Sequence, residues 1–544
     1  LSMGDTTLKT DLRLLNSLRK DLESAKYFPD EIVALWGAPA ERSRQRGVLI
    51  PAARMLRRLD KSPLVTLAEL FLLGDEASAE DLELALPELG ISGAMCLGLI
   101  ASSPERSGRP SGYYRAELSL NVVSFPDPGS TRPEPGEAVP IVHWWIMSDL
   151  DDALRRGPMM SDHVMGVGGA TRTLLSQMPL GGGERAMAER ALDLGTGSGV
   201  VAMYLAQSGI PEVVATDISE RALALAQANA ALNGFSSEIE FRQGDLFGPV
   251  REEQFDLIAS NPPFVVTPRT EQTDVAGAQR YEYRDGGLIG DALAARVVRE
   301  APIHLAEGGL LICLANWETP WGGDGLQRVE QWIAEASETH ALDAWVIERD
   351  VVDTVQYAET WARDGGARPG SSEHSLLMSA WMDDFEDRHI VSIGLGSIRL
   401  QRTDKKAGIV RTEQAMGIFT EDWPGRSLQT AFESGVRSER MSDEDVLAAH
   451  WVCSPRVFEE RDHKPGQDAP RALRLVTDAP IGRRMDVDPL LAAAVGASDG
   501  DLSLSQIAGA LATLFEVNEE ETSDVLVEGI RELAWYGVVT PASR

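Results

Sequence analysis

Between residues 190 and 315 the chain alternates short apolar runs with helical patterns. This alternation restricts the possible folds more than any other feature. Residues 190–194 read as a strand that runs into Gly195-Thr196-Gly197-Ser198-Gly199, and residues 200–208 read as a helix. A second strand, 213–216, ends at Asp217, and a helix over 219–233 follows, with Ser219 placed to cap it. A third strand, 239–243, leads to Gly244-Asp245-Leu246-Phe247, and a fourth, 255–260, delivers Asn261-Pro262-Pro263-Phe264. Strands that alternate with helices in this way predict an open parallel sheet with crossover helices. Ligands of such sheets bind beyond the carboxyl ends of the strands.

Each of those ends carries residues with a chemical reading. The glycines allow a sharp turn and a close approach of backbone to ligand. The pattern is G-x-G-x-G rather than the dinucleotide G-x-G-x-x-G, so the loop taken alone also admits a dehydrogenase or a turn that holds no ligand. An acid at the end of the second strand, Asp217, is placed to accept the ribose hydroxyls of a nucleoside. The tetrad at the fourth strand suits a planar nitrogen. An amide or exocyclic amine is a poor nucleophile because its lone pair is delocalised. The side-chain oxygen of Asn261 and the carbonyl of Pro262 can each accept one N–H and so aim the lone pair. The two prolines stiffen these acceptors, and Phe264 can stack on the planar group. Catalysis by such a site is mainly positioning and requires no strong general base.

Asp193-Leu194-Gly195-Thr196-Gly197-Ser198-Gly199, Asp217, Asp245 and Asn261-Pro262-Pro263-Phe264 resemble the motifs of class I S-adenosylmethionine-dependent N-methyltransferases. That group includes the HemK-like enzymes, which methylate release-factor glutamine at N5, and the methyltransferases of nucleic-acid amino groups. Arg284-Asp285-Gly286-Gly287-Leu288-Ile289-Gly290-Asp291 resembles the G-G-x-x-G segment that follows the tetrad in the HemK-like branch. The resemblance covers residues 185 to about 320 and implies a Rossmann-like α/β domain with a seven-stranded sheet. It also implies that Asp193 and the loop Gly195, Thr196, Gly197 and Gly199 hold the methionine part of S-adenosylmethionine, Asp217 the ribose and Asp245 the adenine amine. Asn261 then holds the substrate nitrogen beside the cofactor, with Pro262 and Phe264 as its catalytic companions. The substrate it favours is a protein glutamine side chain. HemK-like glutamine enzymes commonly carry tyrosine at the position of Phe264, and phenylalanine is more frequent among the nucleic-acid relatives. An exocyclic amine of ribosomal or transfer RNA is therefore the alternative. Residues 164–171, VMGVGGAT, stand where relatives place a cofactor-capping segment, and they read equally well as a glycine-rich linker.

Residues 1–150 read as helices followed by β-ribbon, with helices over 5–37 and 62–74 and strands around 114–122 and 142–147. Residues 151–403 form the catalytic unit, with an insertion of two helices at 353–387 whose Trp361, Trp381 and Phe385 read as packing residues or as part of a substrate lid. Residues 404–544 end in two amphipathic helices and a short strand. Both flanking units read as winged-helix-like α+β domains that recognise substrate or simply cap the catalytic sheet. The formal net charge of −33 opposes binding to phosphate backbones and anionic membranes. Three scattered cysteines and eight scattered histidines predict neither a disulfide framework nor a metal site. The absence of a long apolar run and of a secretory pattern predicts a cytoplasmic protein, with Leu1-Ser2 before Met3 read as a cloning remnant.

Overall fold

A computed structural model describes residues 11–104, 111–130, 139–151, 153–155, 160, 162–180, 188–263, 265, 289–364, 367, 369–416, 419, 423–466 and 470–542. The chain opens with helices α1 (Leu12–Ser24), α2 (Pro29–Trp36), α3 (Ala38–Arg44), α4 (Ile50–Leu56) and α5 (Pro63–Leu72). The single helix expected over 5–37 is broken. Lys26 lies at φ +54°, and Pro29 cannot continue a preceding helix but can start a new one. Next come β1 (Ala77–Ser78), α6 (Ala79–Ala85), α7 (Gly90–Cys96), β2 (Ile100–Ser102) and β3 (Tyr113–Ala116). These strands form a small antiparallel sheet in the order β1-β3-β2.

A two-stranded ribbon, β4 (Leu118–Pro126) and β5 (Ile141–Asp149), joins this unit to the large sheet. Side chains alternate across a strand, so adjacent tryptophans in β5 face opposite ways. Trp145, with Leu118, Leu120 and Met147, enters the N-terminal core. Trp144, with Val123, Phe125 and Ile146, enters the core under the large sheet. The Trp145 indole N–H also donates to the carbonyl of Tyr27 at 2.8 Å.

The large sheet is built from β6 (Arg190–Leu194), β7 (Glu212–Asp217), β8 (Ile239–Gln243), β9 (Phe255–Ser260), β10 (Leu305–Pro320), β11 (Leu342–Asp353), β12 (Ile390–Arg402) and β13 (Val410–Gln414). Its order is β13-β11-β12-β10-β9-β6-β7-β8. Strands β8, β7, β6, β9 and β10 run parallel, and β12 is antiparallel to both of its neighbours. The expectation of seven strands is corrected to eight among the described residues. β13 adds parallel to β11, carrying the sheet past residue 403. The sequence VRTEQ lacks apolar alternation, because this edge strand is held by backbone pairing and polar contacts; Glu413, for example, accepts from the Trp345 indole at 2.9 Å.

Helix α8 (Gly169–Ser176) precedes the sheet, and α9 (Val200–Gln207), α10 (Glu220–Leu232), α11 (Ala292–His304) and α12 (Gly325–Ala336) pack on its faces. The insertion forms two helices, α13 (Thr354–Asp364) and α14 (Ser372–Asp387). Beyond the sheet lie α15 (Gly425–Arg440), α16 (Asp443–Ala448), β14 (His450–Cys453), β15 (Val457–Asp462), β16 (Ala472–Thr477) and β17 (Arg483–Asp486). The chain then continues through α17 (Pro489–Gly496), β18 (Asp499–Ser503), α18 (Leu504–Phe515), α19 (Glu519–Trp535) and β19 (Val539–Pro541). Trp535 fixes this unit to the sheet, with its ring 5.8 Å from that of Trp345 and its face against Gly435, where a Cβ would lie 2.2 Å away. Among the described residues no helix is long and apolar enough to cross a membrane, and no group of His, Cys, Asp or Glu is placed to hold a metal ion.

Because Trp145 fills the N-terminal core, Trp145→Ala is expected to cost about 3–5 kcal/mol. Scanning calorimetry would show this as an earlier unfolding transition. Unfolding at the wild-type temperature would rule out the ribbon as part of that core.

Candidate active site at the carboxyl edge of the sheet

Strand β6 is central and parallel to both neighbours, and this register assembles the site. Leu194 lies opposite Thr216 of β7 on one side and Ser260 of β9 on the other. The glycine loop that follows Leu194 therefore emerges between Asp217 and Asn261. Both neighbouring strands hold it. The Thr216 carbonyl accepts from the N–H of Gly195 and of Thr196, each at 2.9 Å. The Ser260 hydroxyl donates to the Leu194 carbonyl at 3.0 Å. Gly197 N–H donates to the Asp217 carboxylate at 2.9 Å, so the loop and the acid after the second parallel strand form one unit.

Gly195, Gly197 and Gly199 adopt φ of +82°, +53° and +85°, a region that side chains disfavour. Their surroundings differ. A Cβ on Gly199 would lie 2.9 Å from that of Ala226 in α10, so this glycine serves close helix packing. A Cβ on Gly195 or Gly197 would meet no atom within 4 Å, so these two face open space at the strand ends.

Two carboxylates sit at this edge. Asp193 is buried and accepts from the Thr196 hydroxyl at 2.6 Å and from Ala202 N–H at 3.0 Å. Burial pushes its pKa up to about 7; the two hydrogen bonds oppose that rise, and the nearby Asp217 adds to it. Asp217 is also raised by burial, against hydrogen bonds from Ser219, Gly197 and Ile218. Neither acid forms an ion pair among the described residues. The site is therefore short of positive charge and complementary to a cationic ligand. The Gly197 N–H donates to one oxygen of Asp217 and the Ser219 N–H to the other, each at 2.9 Å.

At the end of β9, the side-chain oxygen of Asn261 is buried and finds no hydrogen-bond partner among the described residues. Pro262 is buried beside it. Phe264 and the Gly286-Gly287 segment lie outside the described residues. Val265, just past the tetrad, is buried with Tyr357, Ala358, Trp381, Phe385 and Ile393, so the core of the helical insertion seats the downstream end of the acceptor loop. Trp381 and Phe385 are thus packing residues. Asp245 follows Gly244, whose N–H donates to the Asp217 carbonyl at 3.0 Å. Its own carboxylate is half exposed and turns to Arg296 of α11 at 2.7 Å.

Sequence reasoning passed over the residues that brace this edge from behind. Asn229 of α10 is fully buried and bridges β5 to the glycine loop. Asp149, at the end of β5, accepts from Val164 N–H at 2.8 Å and pairs with Arg221 of α10, which ties the 164–171 segment to the same helix. An asparagine on the buried face of an alanine-rich helix is the signal that could have exposed Asn229.

Residues 164–280 match the Methyltransferase small domain family, and residues 24–110 match a domain of unknown function (DUF7059). The chain is 39% identical over 128 residues to a ribosomal protein uL3 glutamine methyltransferase of Bradyrhizobium diazoefficiens, covering 23% of this chain and 40% of that protein. It is 36% identical over 138 residues to a release factor glutamine methyltransferase of Xylella fastidiosa, covering 25% of this chain and 50% of that protein. The chain thus spans half or less of the length of these two relatives. Among solved structures, ribosomal protein L11 methylase from Lactobacillus delbrueckii subsp. bulgaricus is 21% identical over 44% of this chain and 81% of its own, with a TM-score of 0.24. With its motifs on successive strand ends, the stretch 164–280 is similar to a methyltransferase domain.

Proposed function

We propose that the chain is an S-adenosylmethionine-dependent N-methyltransferase whose substrate is the side-chain amide of a protein glutamine. The observation that carries this reading is the buried Asn261 oxygen, without a partner among the described residues, at the strand end next to an open glycine loop. A buried acceptor left without a donor costs roughly 1–3 kcal/mol, and a bound amide N–H relieves that cost. Bound S-adenosylmethionine supplies an electrophilic methyl group. The chain's part is to bind and orient. Gly195 and Gly197 admit a ligand against the backbone, and Asp193 and Asp217 offset its positive charge. Asp217 accepts from ribose hydroxyls, and Asp245 from the adenine amine once it exchanges its exposed Arg296 pairing. Asn261 and the Pro262 carbonyl hold the substrate nitrogen so that its lone pair faces the methyl group, while Phe264 stacks on the amide.

The names of the matched relatives support a glutamine substrate, and a net charge of −33 opposes an RNA partner. The arrangements α5-β1-α6-α7-β2-β3 and β14 with β18-α18-α19-β19 support reading both flanking units as winged-helix-like modules around a catalytic unit at about 151–403 that continues through β13. A substrate of the translation apparatus implies a cytoplasmic site of action.

The test is transfer of labelled methyl from S-adenosylmethionine into protein of a cell lysate. Label that resists RNase and is lost with protease is expected; loss with RNase would move the substrate to RNA. Asn261→Ala is expected to lower the transfer rate by roughly 10²–10³-fold, the usual effect of removing one preorganised polar group, with cofactor affinity nearly unchanged. Full activity in that variant would sink the role given to Asn261. Asp217→Ala is expected to weaken the cofactor by about 10–100-fold in calorimetry, as hydrogen bonds to a charged group imply, and an unchanged Kd would overturn that assignment.

Asp193 sets a pH dependence. Its folded pKa lies above its unfolded value, so its stabilising contribution is complete below about pH 4 and is lost as pH rises through about 7. The ligand-free wild type should therefore lose more thermal stability between these limits than Asp193→Asn. Parallel pH profiles would remove the buried carboxyl as the cause.

A further inference from the structure

Strand β5 pairs with β4 on one edge, and its other edge meets a helix. A helix has no free backbone groups along its side, so something else must satisfy the edge. Two asparagines one turn apart on α10 do so. Trp145 N–H donates to Asn233 Oδ1 at 3.0 Å, and Asn233 Nδ2 donates to the Trp145 carbonyl at 2.8 Å. Met147 N–H donates to Asn229 Oδ1 at 2.8 Å, and Asn229 Nδ2 donates to the Met147 carbonyl at 2.9 Å. The spacing suits this pairing. Four residues of helix rise about 6 Å and two residues of strand about 7 Å, so amides at i and i+4 meet strand residues at j and j+2. The asparagine side chains act as a substitute strand.

The two asparagines differ in their last N–H. Asn233 gives it to the Asn229 carbonyl, within the helix, at 2.8 Å. Asn229 gives it to the carbonyl of Ser198, in the glycine loop, at 2.9 Å. That carbonyl shares a rigid peptide plane with Gly199 N–H, which donates to the Thr196 carbonyl at 2.9 Å. The plane is therefore held from both sides. One buried side chain thus contacts the ribbon that carries the N-terminal unit and the loop that faces the ligand.

We propose that Asn229 is a positioning residue that couples docking of the N-terminal ribbon to the shape of the glycine loop, so that ligand binding and ribbon docking reinforce each other. The inference rests on the reading that this loop holds S-adenosylmethionine. Coupling of this kind is reciprocal. Cofactor binding must tighten the ribbon by the same factor as the docked ribbon tightens the cofactor.

The experiment compares Asn229→Ala, Asn229→Asp and Asn233→Ala by calorimetry with S-adenosylmethionine, with hydrogen exchange on the full-length wild type. Both alanine variants lose the amide pairing to β5, but only Asn229→Ala also frees the Ser198 carbonyl. Asn229→Asp keeps an acceptor for Met147 N–H and loses the donor to Ser198, so it should follow Asn229→Ala. The expected result is a Kd raised about 5–100-fold at position 229, the range for a buried acceptor left unpaired, and within threefold of wild type for Asn233→Ala. In the wild type, S-adenosylmethionine should slow exchange at the amides of Trp145 and Met147, a readout that stands even if a variant fails to fold. Equal effects at 229 and 233, or no effect at 229, would overturn the proposal, as would wild-type exchange at the ribbon that ignores the ligand. A wild type that does not bind S-adenosylmethionine fails differently: it removes the cofactor reading itself, and this coupling with it.

Discussion

The parallel register of β6 between β7 and β9 is the constraint on which the rest of this molecule depends. It places the end of one strand between the ends of two others, so the glycine loop, Asp217 and Asn261 converge without any long-range coincidence. Each local feature then has a cause. The loop turns because three glycines take positive φ, and it stays in place because the Thr216 carbonyl and the Asp217 carboxylate hold its N–H groups. A one-residue slip of β6 against either neighbour would send Asp193 to the opposite face of the sheet. It would also withdraw the loop from those acceptors.

That edge stores unfavourable electrostatics. Asp193 and Asp217 are desolvated, repel each other and lack a counter-cation among the described residues. The Asn261 oxygen is buried without a donor among the described residues. Two buried acids elsewhere are paired with arginines. Asp291 takes a bidentate contact from Arg328 at 2.6 and 2.7 Å, and the Arg388 guanidinium bonds both oxygens of Glu318 at 2.6 Å. At this edge two desolvated carboxylates and the Asn261 oxygen lie on neighbouring strand ends, a combination complementary to a ligand that is cationic and carries N–H donors.

Much of this edge was legible in the sequence because local chemistry determines it. A run such as ALDLGTGSGV needs no partner to be read as strand, turn and helix, and Asp217, Asp245 and Asn261 lay one or two residues past recognisable strands. What escaped depends on tertiary contact. β13 carries mostly charged and polar side chains, so its membership of the sheet comes from backbone pairing with β11 and polar side-chain contacts rather than from an apolar pattern. The break between α1 and α2 was marked by Pro29, yet the leucine spacing before it ran on and suggested a longer helix. Asn229 and Asn233 looked like ordinary polar positions, because the strand edge that gives them meaning lies more than eighty residues earlier.

The accessory units belong to the site's mechanics in the same sense. Val265 leaves the acceptor tetrad and enters the core of α13 and α14, so the insertion fixes one end of the loop that carries Asn261. On the other side, Trp144 and Trp145 wedge the β4–β5 ribbon between two cores, and the ribbon's free edge is closed by the helix that also holds Ser198. The glycine loop and the loop that carries Asn261 are thus each braced by a segment outside the matched family region. A site that works by aiming a weak nucleophile depends on sub-ångström placement. Bracing from outside the central sheet suits that demand, because it adds to the strand contacts a second set of fixed partners for each loop.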